Sequence, residues 1–215
     1  MTSIPSSADI EAEHDRLGMK LGWRFLMCPE ARLKDAKVAI VTLNPGGTRR
    51  VDTEWSQERG NAYYIESWGG QVPGRDKLQV QVQELVKAIG EDKDSVLAGC
   101  FIPFRSPTFA DLPRSAEAIQ FARRLWASVL EESPARLFVC VGKKVVGEGL
   151  ADLVGARPIA SVPLRWGDQT IERYQAADGR TVVAFPHFSR FPPFSSPERA
   201  KAAVVAIEEV WRASA

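Results

Sequence analysis

Residues 37–47 read KVAIVTLNPGG. Val38, Ile40 and Val41 make a short apolar, β-branched run of the kind that forms a buried strand. The run cannot continue past Asn44. Pro45 has no N–H to give to a sheet, and Gly46 and Gly47 tolerate backbone angles closed to other residues. The sequence therefore predicts an asparagine displayed on a stiff turn at the carboxyl end of a central strand. Open α/β sheets bind their ligands at that edge.

Strand and helix patterns alternate outward from this run. Residues 10–26 carry a helical rhythm through Leu17, Leu21 and Phe25, closed by Pro29. Residues 1–9 read as a loose tail and residues 10–215 as a single domain. Residues 48–74 are polar and aromatic without a clear period, and a loop that long is usually functional or hides short elements. Residues 77–89 (KLQVQVQELVKAI) follow helical spacing at Leu85, Val86 and Ile89, with Gly90 as a stop. Residues 96–104 read as a second strand, 115–130 as an amphipathic helix and 137–141 as a third strand. Gly142 leads into a helix over 143–154. Residues 171–176 and 181–185 flank Asp178-Gly179, a hairpin signal, and residues 197–212 form a last helix opened by Pro197. This order predicts a three-layer α/β/α sandwich around a mostly parallel sheet. Asn44, the 103–107 segment, Gly142 and His187 all fall at or just past strand ends.

Composition narrows the function. Hydrophobic residues are 45% and charged residues 26% of the 215, which suits one globular domain with a sizeable core. No apolar run is long enough to span a bilayer, and the polar, acidic start does not read as a signal peptide. The net charge of +1 neither demands nor excludes a nucleic-acid partner. The three cysteines, Cys28, Cys100 and Cys140, are widely spaced and odd in number, which fits a reducing cytoplasm rather than a disulfide framework. No Cys/His cluster suggests zinc, and four thiolates for an iron–sulfur cluster are lacking, so neither metal nor cofactor is expected.

Of the two histidines, His14 falls in a polar helix and is expected to be solvated. His187 follows the apolar run TVVAFP and precedes Arg190, Phe191 and Phe194. No G-x-S-x-G elbow, P-loop or G-x-G-x-x-G fingerprint is present. What remains is an amide, an imidazole and the backbone N–H groups of glycine turns. That set can position a water and stabilise a developing anion without a covalent intermediate.

These residues resemble the uracil-DNA glycosylase superfamily. Its first motif, G-x-N-P-G at a strand exit, is matched in its last three positions by Thr42-Leu43-Asn44-Pro45-Gly46. Its second motif, H-P-S after the last strand, is matched at its ends by His187-Phe188-Ser189. Phe138–Gly142 resembles the family's third strand and glycine turn, and Phe104-Arg105-Ser106-Pro107 its strand exit with Arg and Pro. The likeness runs from about Lys37 to the carboxyl terminus.

The resemblance implies a monofunctional DNA glycosylase acting on uracil or another deaminated or damaged base, in single-stranded or damaged duplex DNA. Asn44 would position the attacking water, and His187 would hydrogen-bond the carbonyl of the departing base. Leu43, Pro45 and Gly46 would contact that base, with Ser189 nearby. Arg190 would reach a phosphate, and Phe191 or Phe194 would wedge into the helix. Three positions depart from the family pattern: Thr42 replaces Gly, Phe188 replaces Pro, and Cys100-Phe101 stands where an Asn often reads the base. Asn61, Tyr63 and Tyr64 are candidate substitutes for that Asn. Arg105, Arg114, Lys143, Lys144 and Arg190 are candidates for a phosphate-binding rim. Two alternatives stand beside the glycosylase: a nucleic-acid-binding protein of the same fold without the chemistry, and a hydrolase of small N-glycosides. A pocket joining Asn44 and His187 beside a basic groove would favour nucleic acid over small molecules.

Overall fold

The computed structural model describes residues 4–211. Its centre is the run quoted first. β1 (Val38–Thr42) is buried along its whole length. It lies between β2 (Leu97–Cys100) and β3 (Leu137–Val141), parallel to both. β6 (Thr181–Phe185) runs parallel on the far side of β3. β5 (Thr170–Gln175) and β4 (Arg157–Pro163) add antiparallel, so the order is β2-β1-β3-β6-β5-β4. The four parallel strands have every residue buried, which requires cover on both faces.

That cover comes from the helices. α4 (Lys77–Ile89) packs with α7 (Pro197–Trp211), and α5 (Ser115–Glu132) packs with α2 (Arg32–Asp35) and α6 (Gly149–Leu153). α4 has the bounds its spacing predicts, closed by Gly90 in the left-handed conformation at φ 83°. α7 extends as expected through Trp211; Arg212 lies outside the described residues. The helix expected after Gly142 divides into a π-helical turn, Lys143–Glu148, and α6. Gly147 allows that turn to sit against β6, since a Cβ there would lie 2.4 Å from the Ala184 side chain. The long 48–74 segment hides one short helix, α3 (Ala62–Ile65).

Three expectations are corrected. The helix over 10–26 is much shorter. α1 (Ser7–Arg16) begins inside the stretch read as a tail, held by a Ser6/Asp9 capping box, and Gly18 turns the chain at φ 69°. Residues 23–27 then run extended along the outer edge of β2, with Met27 N–H on Ala98 O at 2.8 Å and Cys100 N–H on Phe25 O at 2.9 Å. Trp23, Phe25, Leu26, Met27 and Cys28 are all buried. A helix would bury only one stripe of such a run, whereas a strip sealing a sheet edge buries it all. The second strand stops at Cys100, and residues 101–104 turn away while staying buried. β4 is an addition. Its sequence RPIASVP has two prolines and no alternation, which only an edge strand tolerates.

All three cysteines are buried and unpaired. His14 is also buried, at 5% exposure, with Nδ1 3.1 Å from Asp15, contrary to the expectation of a solvated ring. No helix among the described residues is long and apolar enough to cross a membrane.

Candidate functional site

Thr42 on β1 and Phe185 on β6 both pair with Val141 of β3. The two outer strands therefore leave the sheet from one row. Asn44 and His187 each lie two residues past it, on exits from strands that stand two spacings, about 10 Å, apart.

The Asn44 turn is stitched to the turn after β2. Phe101 N–H donates to Thr42 O at 2.7 Å, Ile102 N–H to Leu43 O at 2.9 Å, and Ser106 N–H to Pro45 O at 3.2 Å. The Asn44 Nδ2 group adds bonds to Ser106 Oγ at 2.9 Å, Pro45 O at 3.1 Å and Phe104 O at 3.3 Å. Two of these partners are carbonyls, and the Ser106 hydroxyl already donates to Thr108 O at 2.7 Å. All three can only accept, so the orientation of the Asn44 amide is settled. Its Oδ1 takes no donor among the described residues and is not sealed from solvent. Arg105 hydrogen-bonds Gly46 O from the other side. Burial holds its guanidinium below the usual arginine value, and its Nε is buried without a partner.

Asn44, Pro45 and Gly46 border a cleft of about 1140 Å³. Tyr63 forms part of its floor, buried, with its hydroxyl donating to Thr42 Oγ1 at 3.3 Å. Thr42, where the resembling family has Gly, thus links Tyr63 to β2 through Gly99 O at 3.4 Å. Trp68 stands edge-on to Tyr63, with centroids 5.2 Å apart, and its indole remains partly exposed.

The cleft also holds charged residues to which the sequence reading gave no role. Arg24 has an 8% exposed side chain and grips Glu66 through two nitrogens, at 2.6 and 2.8 Å, and Glu54 at 2.7 Å. Glu66 further accepts from Trp68 Nε1 at 2.8 Å and from Gln57. Burial alone would raise the Glu66 carboxyl. The Arg24 and Trp68 hydrogen bonds outweigh it and hold the group at about 2. Glu54 goes the other way, raised by burial more than Arg24 lowers it. Three arginines line the cleft, Arg24, Arg49 and Arg105, against four acids, Asp52, Glu54, Glu66 and Asp76.

Glu54, Glu66 and Trp68 lie in the long 48–74 segment, whose length was the one signal pointing to them. Arg24 was concealed in the run read as helix.

His187 is not among the lining residues. It is partly buried, and its Nδ1 accepts from Ser189 N–H at 3.3 Å and contacts Ser189 Oγ at 2.8 Å. A backbone N–H can only donate, so the neutral ring carries its proton on Nε2. Burial, reinforced by Arg190, lowers its pKa from 6.5 and favours that neutral form.

The other expected site residues are dispersed. Leu43 is partly buried against the core, and Cys100 and Phe101 are fully buried. Tyr64 is partly buried away from the lining, its hydroxyl pushed up to about 12 by burial. Asn61 caps α3 by accepting from Tyr63 N–H at 3.1 Å. Lys143 pairs with Glu172 at 3.3 Å and Thr170 at 2.9 Å. Arg114 pairs with Glu117 at 2.6 Å. Phe191 packs edge-on against Trp166 at 5.9 Å, Phe194 packs against the core, and Arg190 is exposed. Among the described residues, the grouping with metal-ligand spacing is Glu11, His14 and Asp15, within 4.8 Å of one another on α1 and apart from the cleft lining.

No protein-family model matches the chain, and no curated protein matches it.

Proposed function

We propose that the protein hydrolyses the N-glycosidic bond of a deaminated or damaged base in DNA. The observation that carries this reading is the Asn44 amide at the border of the cleft, whose NH2 is held by three acceptors while Oδ1 is not sealed from solvent. An acceptor so fixed can accept a hydrogen bond from one water and so aim the water's lone pair at the sugar anomeric carbon. As the new C–O bond forms, the C–N bond breaks and its electron pair leaves with the base; the attacking water gives its proton to solvent, and the base anion takes one up on release. His187, with its proton on Nε2, offers a neutral N–H to the base carbonyl that gains this charge. The spacing of about 10 Å between the two strand exits suits one nucleoside lying over the end of β3. The likeness of the two motifs to the uracil-DNA glycosylase superfamily supports the same reading.

A second reading has its own observation. His187 does not border the cleft, and the cleft is mixed in charge rather than basic. Both features suit a hydrolase of small, neutral N-glycosides. A panel of lesion-bearing oligonucleotides and free nucleosides, scored for released base, separates the two. Release from oligonucleotides, lost in Asn44→Ala, supports the glycosylase. Turnover of nucleosides alone replaces it with the second reading. Salt-sensitive DNA binding with no release from any substrate contradicts both and leaves a binding protein.

A further inference from the structure

The polar atoms of the cleft divide into those already committed and those still open. Glu66 is saturated: one oxygen accepts from Arg24 and Gln57, the other from Arg24 and Trp68. Asp76 caps α4 by accepting from Leu78 N–H at 2.9 Å. Glu54 differs. One of its oxygens lies 2.7 Å from Arg24, while the other has no donor among the described residues, and its side chain is 38% exposed. Its backbone is held rigidly, with Glu54 N–H on Trp23 O at 3.1 Å and Phe25 N–H on Glu54 O at 3.1 Å. The carboxylate is thus presented to the cleft from a fixed strip, with Arg24 bracing one side. The Trp68 indole borders the same cleft, pinned at Nε1 by Glu66, edge-on to Tyr63 and only partly buried. Cys100, where the resembling family often reads the base, is fully buried and out of reach.

We infer that Glu54 is the base-reading residue of this cleft, and that it selects a ring bearing two adjacent N–H donors over uracil. The choice follows from hydrogen-bond polarity. The edge of uracil presents an acceptor, a donor and an acceptor, so a carboxylate meets one N–H and is repelled by the flanking carbonyls. A guanine-type edge offers a ring N–H beside an exocyclic amino group. Both point the same way, and a carboxylate accepts them together, since even its Arg24-bound oxygen keeps a lone pair. Trp68 would stack on such a ring, and a purine covers more of the indole than a pyrimidine does. The inference deepens the proposed hydrolysis by naming its substrate class; it needs Asn44, which borders the same cleft as Glu54, and not His187, and it rests on that reading only for the bond that is broken. Recognition can be measured without it.

The test is a binding titration of the intact protein with free 7-methylguanine and free uracil, followed by tryptophan fluorescence and calorimetry. The wild type is expected to bind 7-methylguanine about tenfold to a hundredfold more tightly than uracil. Glu54→Gln should bring the two affinities together while circular dichroism stays unchanged. Should that variant fail to fold, Glu54→Asp keeps a charge for Arg24 and shortens the reach, and it should also shrink the preference. Equal or tighter binding of uracil, or a preference unchanged in either folded variant, overturns the assignment. Base release from lesion oligonucleotides is read in parallel. A guanine-type preference without release upholds Glu54 and removes the hydrolase. Release of uracil with no guanine-type preference does the reverse.

Discussion

Asn44 and His187 have opposite hydrogen-bonding polarity, and in each case a neighbour fixes it. Three acceptors claim the Asn44 NH2 and leave Oδ1 open, while the Ser189 N–H claims His187 Nδ1 and leaves the proton on Nε2. Because burial lowers the His187 pKa from 6.5, the neutral form, with Nδ1 accepting from Ser189 and so orienting the Nε2 proton, persists to more acid pH than for a free imidazole. The acid limb of a pH–rate profile for base release should therefore lie below 6.5. Removing the second cause with Arg190→Ala should move that limb upward. A limb at or above 6.5 in the wild type contradicts the neutral donor. The sign for stability follows from the same shift: the neutral ring's contribution is complete above 6.5 and declines as pH falls below it. At this scale the sequence was informative about Asn44, because Pro45 and Gly46 leave an asparagine little choice but to sit on a turn. It was silent about Arg24 and Glu54. Their importance comes from pairing across the fold, and nothing local to either residue signals it.

The strip of residues 23–27, the 48–74 segment and the turn after β2 meet around Arg24. The Arg24–Glu66 pair is the brace between the first two, and among the described residues Glu54 is the other carboxylate its buried guanidinium meets. Glu66→Ala removes two hydrogen bonds from Arg24 and leaves its guanidinium on Glu54 alone, so it should cost about 2–3 kcal/mol in urea unfolding at pH 7. A loss below about 1 kcal/mol would show that the brace is replaceable. With the Glu66 carboxyl depressed from 4.5 to about 2, its stabilisation is complete above pH 4.5 and is lost as pH falls toward 2. Glu66→Gln should flatten the stability curve across that window. α4 was legible to the residue, and β1, read as 37–43, to within one residue at each end. The extended strip was not, since a short apolar run broken only by Arg24 satisfies helix and strand periods alike. β4 was hidden by its prolines, which are permitted only because nothing pairs with its outer edge.

The whole molecule has a net charge of +1 and a cleft of mixed sign. Lys143 and Arg114, two of the cations expected at a phosphate rim, are held by Glu172 and Glu117. Arg49 and Arg50 are exposed directly after the Gly46-Gly47 turn, and Arg190 is exposed beyond His187. Few phosphate contacts are therefore available, and the logarithm of DNA affinity should fall with the logarithm of salt at a slope of about −2 to −3. Reversing charge in Arg49→Glu/Arg50→Glu should weaken binding and make the slope shallower by about 1–2. A slope near −6, or one untouched by the double variant, would mean that the phosphates lie elsewhere. All of this presupposes the parallel sheet, which brings two residues distant in sequence to one row of strand ends. The most direct measurement is single-turnover release of base from a lesion-bearing oligonucleotide by the wild type and by Asn44→Ala, with DNA affinity determined for both. The expected result is a rate lowered about 10²–10⁴-fold at nearly unchanged affinity. Release by Asn44→Ala at the wild-type rate would contradict the water-positioning role of Asn44.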